Sequence, residues 1–193
     1  MERSLPTTEL SLFSYEILGL VGDGGAGAHD LLRMARSGRM LDWAGESQYY
    51  VEPKRLARLG YLAARKEPGK TRERTVYTLS ERGRDALREY ARTPAVFVPF
   101  KSDLLLRLLI ADLVGDELTL GAVTAIRAEL AELQAQLDAS EDRARLLPHR
   151  ERYLLLVVEF LRGLLELHRD WVDTVERTLV EAPAKGPASR HVG

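Results

Sequence analysis

The apolar residues in the second half of the chain follow a spacing that is typical of packed α-helices. In segment 119–147 they recur at alternating steps of three and four residues, with Ser140 filling the one gap. Segment 149–181 carries two such stripes side by side. The residues of the first segment are Val123, Ile126, Leu130, Leu133, Leu137, Ala144 and Leu147. The two stripes of the second segment are Leu154, Val158, Leu161, Leu165, His168, Val172, Val175 and Leu179, and Tyr153, Val157, Phe160, Leu164, Leu167 and Trp171.

A helix with two apolar stripes needs two sets of packing partners. The preceding helix can fold back across Pro148 and cover one stripe, whereas the helix predicted over 102–114 is too short to cover the other. A second subunit is the most economical cover, so we predict a two-fold dimer. The alternative is a monomeric three-helix bundle with a broad apolar face. The predicted interface residues are Tyr153, Val157, Phe160, Leu161, Leu164, Leu167, His168, Trp171 and Val175.

The first half of the chain predicts short helices followed by a charged β-hairpin. The predicted elements are helices over 9–21, 28–37 and 47–60, strands over 61–66 and 75–79, and a helix over 81–92 that Ser80 caps. This order is that of a winged helix-turn-helix with a two-stranded wing. The predicted fold class is therefore mainly α, with a winged domain over 1–93, a proline-containing linker over 94–101 and an all-helical dimerisation domain over 102–181. The tail 182–193 is rich in Pro, Gly and Ala, and we predict that it is disordered.

The third helix has a proline inside its apolar pattern. Ser47 is a suitable N-cap, and Gly60 ends the helix as a left-handed cap would. Pro53 removes a hydrogen bond from a helix interior, so the helix either begins near residue 52 or is kinked there. The predicted buried face is Val51, Leu56 and Leu59, with Tyr50 suited equally to the core and to ligand contact.

Positive charge concentrates between residues 47 and 79, in the third helix and the hairpin. A helix next to a charged hairpin fits duplex DNA, with the helix in the major groove and the hairpin on the backbone. Gln can read adenine and Arg can read guanine, whereas Lys more often contacts phosphate. Hairpin charge can also serve solubility alone, and Arg58 suits a solvated helix face equally well. The predicted DNA-binding residues are Ser47, Gln48, Tyr49, Tyr50, Lys54, Arg55, Lys66, Lys70, Arg72 and Arg74.

The composition bounds the class of protein. Residues 1–93 contain 16 Lys and Arg against 13 Asp and Glu, whereas residues 94–193 contain 12 against 16. A local basic patch on a nearly neutral chain suits binding at one specific site. The chain contains no cysteine, which excludes disulfides and suits a cytoplasmic location. No run of about 18 apolar residues is present, so we predict no membrane span.

The sequence shows no residue set that is typical of an enzyme or a metal site. The glycine-rich run 22–27 follows a predicted helix and lacks the Gly-Lys-Ser/Thr ending of a phosphate-binding loop, which favours a flexible turn. The four histidines, His29, His149, His168 and His191, are scattered without metal-ligand spacing. We therefore predict no catalytic function, no metal and no cofactor.

Three motifs resemble the PadR family of bacterial transcriptional regulators. They are LSLFSYEILGLV, which starts at Leu10, SQYYVEPKRLARLGYL, which starts at Ser47, and VYTLSERGRDAL, which starts at Val76. The long helical C-terminal half resembles the larger PadR subfamily. Proline directly follows the tyrosine of the second motif in that family, whereas here Val51 does. The residues that match the family motifs of the third helix and the wing are Ser47, Tyr50, Leu56, Leu59, Gly60, Tyr77, Leu79, Ser80 and Gly83.

The resemblance implies a homodimeric repressor, or less often an activator. Such a protein would bind a pseudo-palindromic double-stranded DNA operator and release it when a small-molecule effector binds. Trp43 and Trp171 could line an effector pocket between the two domains or belong to the core. The alternative function is a winged-helix protein-interaction module without sequence-specific DNA binding.

Overall fold

The computed structural model describes residues 10–36, 44–68, 73–97 and 101–181. The chain divides into two compact units, and the division between Phe97 and Val98 falls inside the predicted linker 94–101. Among the described residues, no helix is long and apolar enough to cross a lipid bilayer. The predictions made for Trp43, Lys70, Arg72 and the tail 182–193 lie outside the described residues.

The first unit packs helices against a small antiparallel sheet. Its elements are α1 (Leu12–Val21), β1 (Ala26–Gly27), α2 (Ala28–Arg36), α3 (Gln48–Arg58), β2 (Leu62–Glu67), β3 (Arg74–Leu79) and α4 (Glu81–Arg92). The strand order is β1-β3-β2, with Leu62 opposite Leu79 at one end of the hairpin and Glu67 opposite Arg74 at the other. The core joins side chains from α1, α2, α3 and the sheet, among them Ile17, Leu18, Leu31, Leu56 and Tyr77.

The glycine-rich run 22–27 does more than the predicted flexible turn. Gly25 has a φ of 74°, and a Cβ there would lie 3.0 Å from the Tyr77 carbonyl oxygen, so only glycine fits without strain. The turn brings Ala26 and Gly27 beside β3, opposite Tyr77 and Val76. The sheet therefore has three strands, and the prediction of two strands was incomplete because a two-residue strand has no periodicity to detect.

Hydrogen-bonded caps fix both ends of α1 and the start of α4. Ser11 Oγ accepts the Ser14 N–H at 3.2 Å, and Ser14 Oγ accepts the Ser11 N–H at 3.0 Å, which forms a reciprocal cap. Gly22 ends α1 with a φ of 51°. Ser80 Oγ accepts the Gly83 N–H at 3.1 Å, as the sequence predicts.

The second unit is all-helical. Its elements are α5 (Asp103–Leu109), α6 (Ala111–Val114), α7 (Asp116–Thr124), α8 (Ile126–Arg145) and α9 (Glu151–Glu181). Arg162 of α9 pairs with Glu141, whereas Arg127, near the start of α8, pairs with Asp173 at 2.6 Å, so α8 and α9 run antiparallel. The predicted single helices over 102–114 and 119–147 are each divided in two, with Ile110 between α5 and α6 and Ala125 between α7 and α8.

The predicted heptad pattern of 119–147 faces the first stripe of α9. The residues that are buried where α7 and α8 pack against α9 are Val123, Leu130, Leu137, Ala144, Val158, Leu161, Leu165, Val172 and Val175. Leu104 and Leu108 of α5 pack on the cluster of Val123, Val172 and Val175. One apolar stripe of α9 is thus buried within the unit, as predicted.

Candidate nucleic-acid interface

The start of α3 differs from the prediction. Ser47 has helical dihedrals, with φ −60° and ψ −29°, and its side chain does not cap the helix. Instead, the amides of Gln48 and Tyr50 donate to the carbonyls of Gly45 and Ser47, which forms a tight first turn. The helix therefore begins five residues before Pro53 and includes it. At the other end Gly60 has a φ of 80°, and the Tyr61 amide donates to the Leu56 carbonyl at 2.9 Å, so this end forms the predicted left-handed cap.

A buried carboxylate holds α3 against α1. Glu52 is only 7% exposed. It accepts a hydrogen bond from Ser14 Oγ at 2.7 Å and two from Arg55, at 2.8 Å from Nε and 2.7 Å from Nη2. Arg55 Nη2 also donates to Ser14 Oγ at 3.2 Å. This three-residue network, Ser14–Glu52–Arg55, directs the Arg55 guanidinium towards α1, and the predicted DNA contact by Arg55 stays a prediction.

Tyr49 provides a second link between α3 and α1. The Tyr49 ring lies edge-on to Phe13 with a centroid distance of 5.0 Å, and its hydroxyl donates to Glu16 Oε1 at 3.1 Å. The predicted DNA contact by Tyr49 is therefore wrong for this structure, because the side chain is buried. Its neighbour Tyr50, which suited core and ligand contact equally, is exposed.

The two carboxylates that link α1 and α3 have opposite pKa shifts. Burial acts to raise the pKa of Glu52, but hydrogen bonds from Arg55 and Ser14 and the Arg55 charge outweigh it, so the pKa lies below the ordinary value of 4.5. Burial raises the pKa of Glu16 above 4.5, and the hydrogen bond from Tyr49 offsets only part of this effect. Ionised Glu52 thus stabilises the fold, whereas ionised Glu16 costs stability.

Replacing each carboxylate by the amide should separate these effects. Glu52→Gln is expected to lower the free energy of unfolding at pH 7 by about 1–3 kcal/mol, and the loss should shrink as pH falls below about 4.5. Glu16→Gln keeps an acceptor for Tyr49 and removes the cost of a buried charge, so it should be neutral or stabilising at pH 7, with no gain at pH 4. Urea unfolding from about pH 3 to pH 7 measures both variants. If both variants lost the same free energy of unfolding at pH 7, the opposite contributions assigned to Glu52 and Glu16 would be contradicted.

The solvent face of α3 carries no carboxylate, because Glu52 is the single acidic residue of this helix. The side chains exposed on the helix are Gln48, Tyr50, Val51, Lys54 and Arg58, and those exposed just before it are Ser47 and Glu46, which pairs with Arg36. Val51 is 54% exposed, so its predicted place in the buried face is wrong. Arg58 follows Lys54 by four residues and Val51 by seven, which puts all three on one face of the helix. That spacing was the signal in the sequence for including Arg58 and Val51 in the face.

The wing presents basic side chains that neighbouring carboxylates partly neutralise. Arg74 contacts Asp30 of α2 at 3.3 Å and Glu67 at 3.5 Å. Lys66 contacts Glu73 at 3.2 Å, and Arg65 also pairs with Glu67. All three cations are exposed, and ion pairs of this kind contribute at most about 1 kcal/mol. They can therefore exchange their carboxylate partners for phosphate oxygens at little cost.

Several solved structures with the same architecture are of transcriptional regulators. The structure of Bacillus subtilis PadR in complex with operator DNA has a TM-score of 0.64 and 22% identity, covering 88% of this chain and 98% of that chain. The structure of the PadR-like transcriptional regulator BC1756 from Bacillus cereus has a TM-score of 0.65 and 17% identity, covering 86% of this chain and 99% of that chain. The structure of Bacillus subtilis PadR in complex with p-coumaric acid has a TM-score of 0.61 and 22% identity, covering 87% of this chain and 93% of that chain. This chain has the PadR-like fold. No family model and no curated protein sequence matches it.

The PadR-like fold confirms the predicted fold class, a mainly helical chain that begins with a winged helix-turn-helix. It also confirms the resemblance drawn from the three sequence motifs, at the level of the fold. The match extends over both units, since each of these structures covers at least 86% of the chain.

Within the PadR-like fold, the second stripe of α9 is open to solvent. Tyr153, Val157, Phe160, Leu164 and Leu167 are all exposed, with Phe160 at 71%. The predicted interface included Leu161 and Val175, but these two are buried inside the unit, because they belong to the stripe that faces α8 and α7. The Nδ1 of half-buried His168 lies 2.7 Å from the Leu164 carbonyl oxygen.

A second exposed apolar surface lies on the short helices α5 to α7. Its large side chains are Leu105, Leu106, Leu109, Leu113 and Leu118. They occupy the sides of these helices that do not pack on α9, whereas Leu104 and Leu108 fill the interior. Exposed apolar patches of this kind mark interaction surfaces more often than chance.

Of the two residues predicted for an effector pocket, only Trp171 lies in the described part of the chain. Trp171 is half-buried and packs on the cluster of Val123, Val172 and Val175, which is the core alternative for this residue. A separate cleft of about 410 Å³ in the helical unit is lined in part by Leu104, Ile126 and His168. Among the described residues, no group of three His, Cys, Asp or Glu side chains could hold a metal ion.

Proposed function

We propose that this protein is a dimeric transcriptional repressor that binds a pseudo-palindromic DNA operator and is released by a small-molecule effector. The observation that carries the proposal is the solvent face of α3. It combines Gln48, Tyr50, Lys54 and Arg58, while the one carboxylate of the helix is buried and paired. A surface of this charge, on the helix that a winged helix-turn-helix inserts in the major groove, suits a duplex.

The proposed dimer supplies two copies of this face. A single α3 with a modest positive charge would bind DNA weakly, whereas two linked copies bind two half-sites together. The exposed stripe of α9, from Tyr153 to Leu167, supports this part of the proposal, because burying it removes several large apolar side chains from water. Two-fold symmetry of the protein then requires an operator with half-sites about 34–36 Å apart or a multiple of that distance.

The proposed effector acts by favouring one arrangement of the dimer. A coupling of about 1–3 kcal/mol between effector and DNA changes operator affinity roughly 5- to 150-fold. The existence of a p-coumaric acid complex of Bacillus subtilis PadR supports a small organic effector for a protein of this fold. We also place the protein in the cytoplasm, where its DNA target would be.

A binding titration tests the proposal. The full-length protein should bind the DNA upstream of its own gene saturably, and the logarithm of the binding constant should fall linearly with the logarithm of salt concentration. Lys54→Ala should weaken binding and reduce the salt slope by about one if Lys54 contacts a phosphate. Glu129→Gln in the helical unit is the control and should leave both quantities unchanged. Equal affinity for a scrambled duplex would overturn the proposal.

The alternative proposal is a protein-interaction module that does not bind a specific DNA sequence. The exposed leucines of α5 to α7 and the carboxylate partners of the wing cations favour this alternative. The double variant Arg72→Ala/Arg74→Ala distinguishes the two. Loss of DNA binding from an intact dimer supports the repressor, whereas unchanged binding to any duplex supports the interaction module.

A further inference from the structure

Val51 is the one aliphatic side chain among the exposed residues of α3. Its neighbours on the solvent face of α3 are Gln48 three residues before it, Lys54 three residues after it and Arg58 seven residues after it. More than half of Val51 is accessible to solvent, so its burial contributes little to the fold. A β-branched residue also has a weaker helix propensity than the straight-chain alternatives. Neither packing nor helix formation therefore accounts for valine at this position.

The orientation of Val51 is fixed by its buried neighbours. Tyr49, two residues before it, is held by Phe13 and Glu16, and Glu52, directly after it, is held by Ser14 and Arg55. These contacts prevent α3 from rotating about its axis, because any rotation that buried Val51 would expose the Glu52 carboxylate or the Tyr49 ring. The valine methyl groups are thus presented outwards by a rigid support.

The major groove of DNA offers one apolar group to such a side chain, the C5-methyl of thymine. We propose that Val51 contacts a thymine methyl in each half-site and so helps to determine which sequence is bound. This assignment rests on the proposed function and deepens it, because it names a feature of the operator. The flanking Gln48, Lys54 and Arg58 would provide the polar contacts on either side of that base.

Uracil substitution tests the contact, since deoxyuridine differs from thymidine only by the missing methyl. Once the bound duplex is known, each symmetric pair of thymines is replaced by uracil in turn, and affinity is measured for the wild type and for Val51→Ala. At one pair of positions the wild type should lose roughly fivefold to twentyfold in affinity, as expected for two lost methyl contacts. Val51→Ala should bind the unmodified duplex more weakly and lose little further affinity on the uracil duplex.

A conservative variant provides the control. Val51→Ile keeps the aliphatic contact and should keep the sensitivity to uracil, and both variants should melt close to the wild type because the position is exposed. Selective binding in which no thymine pair is sensitive would overturn the assignment alone. The assignment would also be overturned if Val51→Ala retained the full wild-type sensitivity to uracil substitution. Absence of selective binding to any duplex would overturn the proposed function and this assignment together.

Discussion

Replacing Phe160 by glutamate is expected to convert the proposed dimer to a monomer and to lower its affinity for the proposed operator by roughly 10²- to 10⁴-fold. Phe160 lies at the centre of the exposed stripe of α9, between Val157 and Leu164. A carboxylate buried against the same stripe of a second subunit would lack a partner and repel its two-fold mate. The monomer would then hold only one recognition helix, and the gain from binding two half-sites at once would be lost.

The fold of each monomer should survive this change. The other stripe of α9 remains packed against α8, and Phe160 makes little contribution to that packing because it is mostly exposed. Light scattering measures the mass, far-ultraviolet circular dichroism the helix content, and a fluorescence titration the operator affinity. Ala139→Glu adds the same charge at an exposed position of α8 and should leave all three unchanged. A Phe160→Glu variant that stayed dimeric with unchanged affinity would contradict the proposed interface.

The helices of the second unit were predictable because their sequences are long segments with a regular apolar periodicity. The two stripes of 149–181 each extend over several turns, so a wrong assignment would have displaced many apolar residues together. The structure buries Val158, Leu161, Leu165, Val172 and Val175 on one stripe and leaves the other exposed from Tyr153 to Leu167. The sequence separates the two stripes but does not show which of them faces α8, because both are apolar, and for that reason Leu161 and Val175 were assigned to the dimer.

The rotation of α3 was not predictable from local periodicity. Tyr49, Tyr50 and Val51 are three consecutive large residues, and any of them could face the core of a short helix. The choice depends on residues more than 30 positions away, since Glu16 accepts the Tyr49 hydroxyl and Ser14 donates to Glu52. A buried glutamate on the core face is also contrary to the hydrophobic pattern that sequence reasoning uses. Long-range polar contacts decided the face, and they left Val51 in solvent.

The contact between α4 and the wing gives a structural reason for the serine and the glycine of the motif that starts at Val76. Gly83 lies buried in the first turn of α4, and a Cβ added there would lie 2.2 Å from the Tyr61 carbonyl oxygen. That oxygen accepts the Ser80 N–H at 3.2 Å, and Ser80 Oγ caps the helix through the Gly83 N–H. On the other side Arg82 donates to the Leu59 carbonyl at 2.7 Å and lies over the Tyr61 ring. The beginning of α4 is therefore fixed to the beginning of β2.

Gly83→Ala is accordingly expected to destabilise the first unit by about 1–3 kcal/mol, because the added methyl meets rigid backbone and must displace α4. For a unit of this size the melting temperature should fall on the order of 10 °C. Gly121→Ala is the matched control: this glycine is inside α7, and apart from its chain neighbours and the surrounding helix backbone no atom lies within 4 Å of the added Cβ, so alanine should stabilise the protein by about 0.5–1 kcal/mol. Thermal unfolding measures both. If Gly83→Ala melted with the wild type, α4 would be free to move relative to β2, and the wing would lack the rigid support that phosphate contact by Arg74 requires.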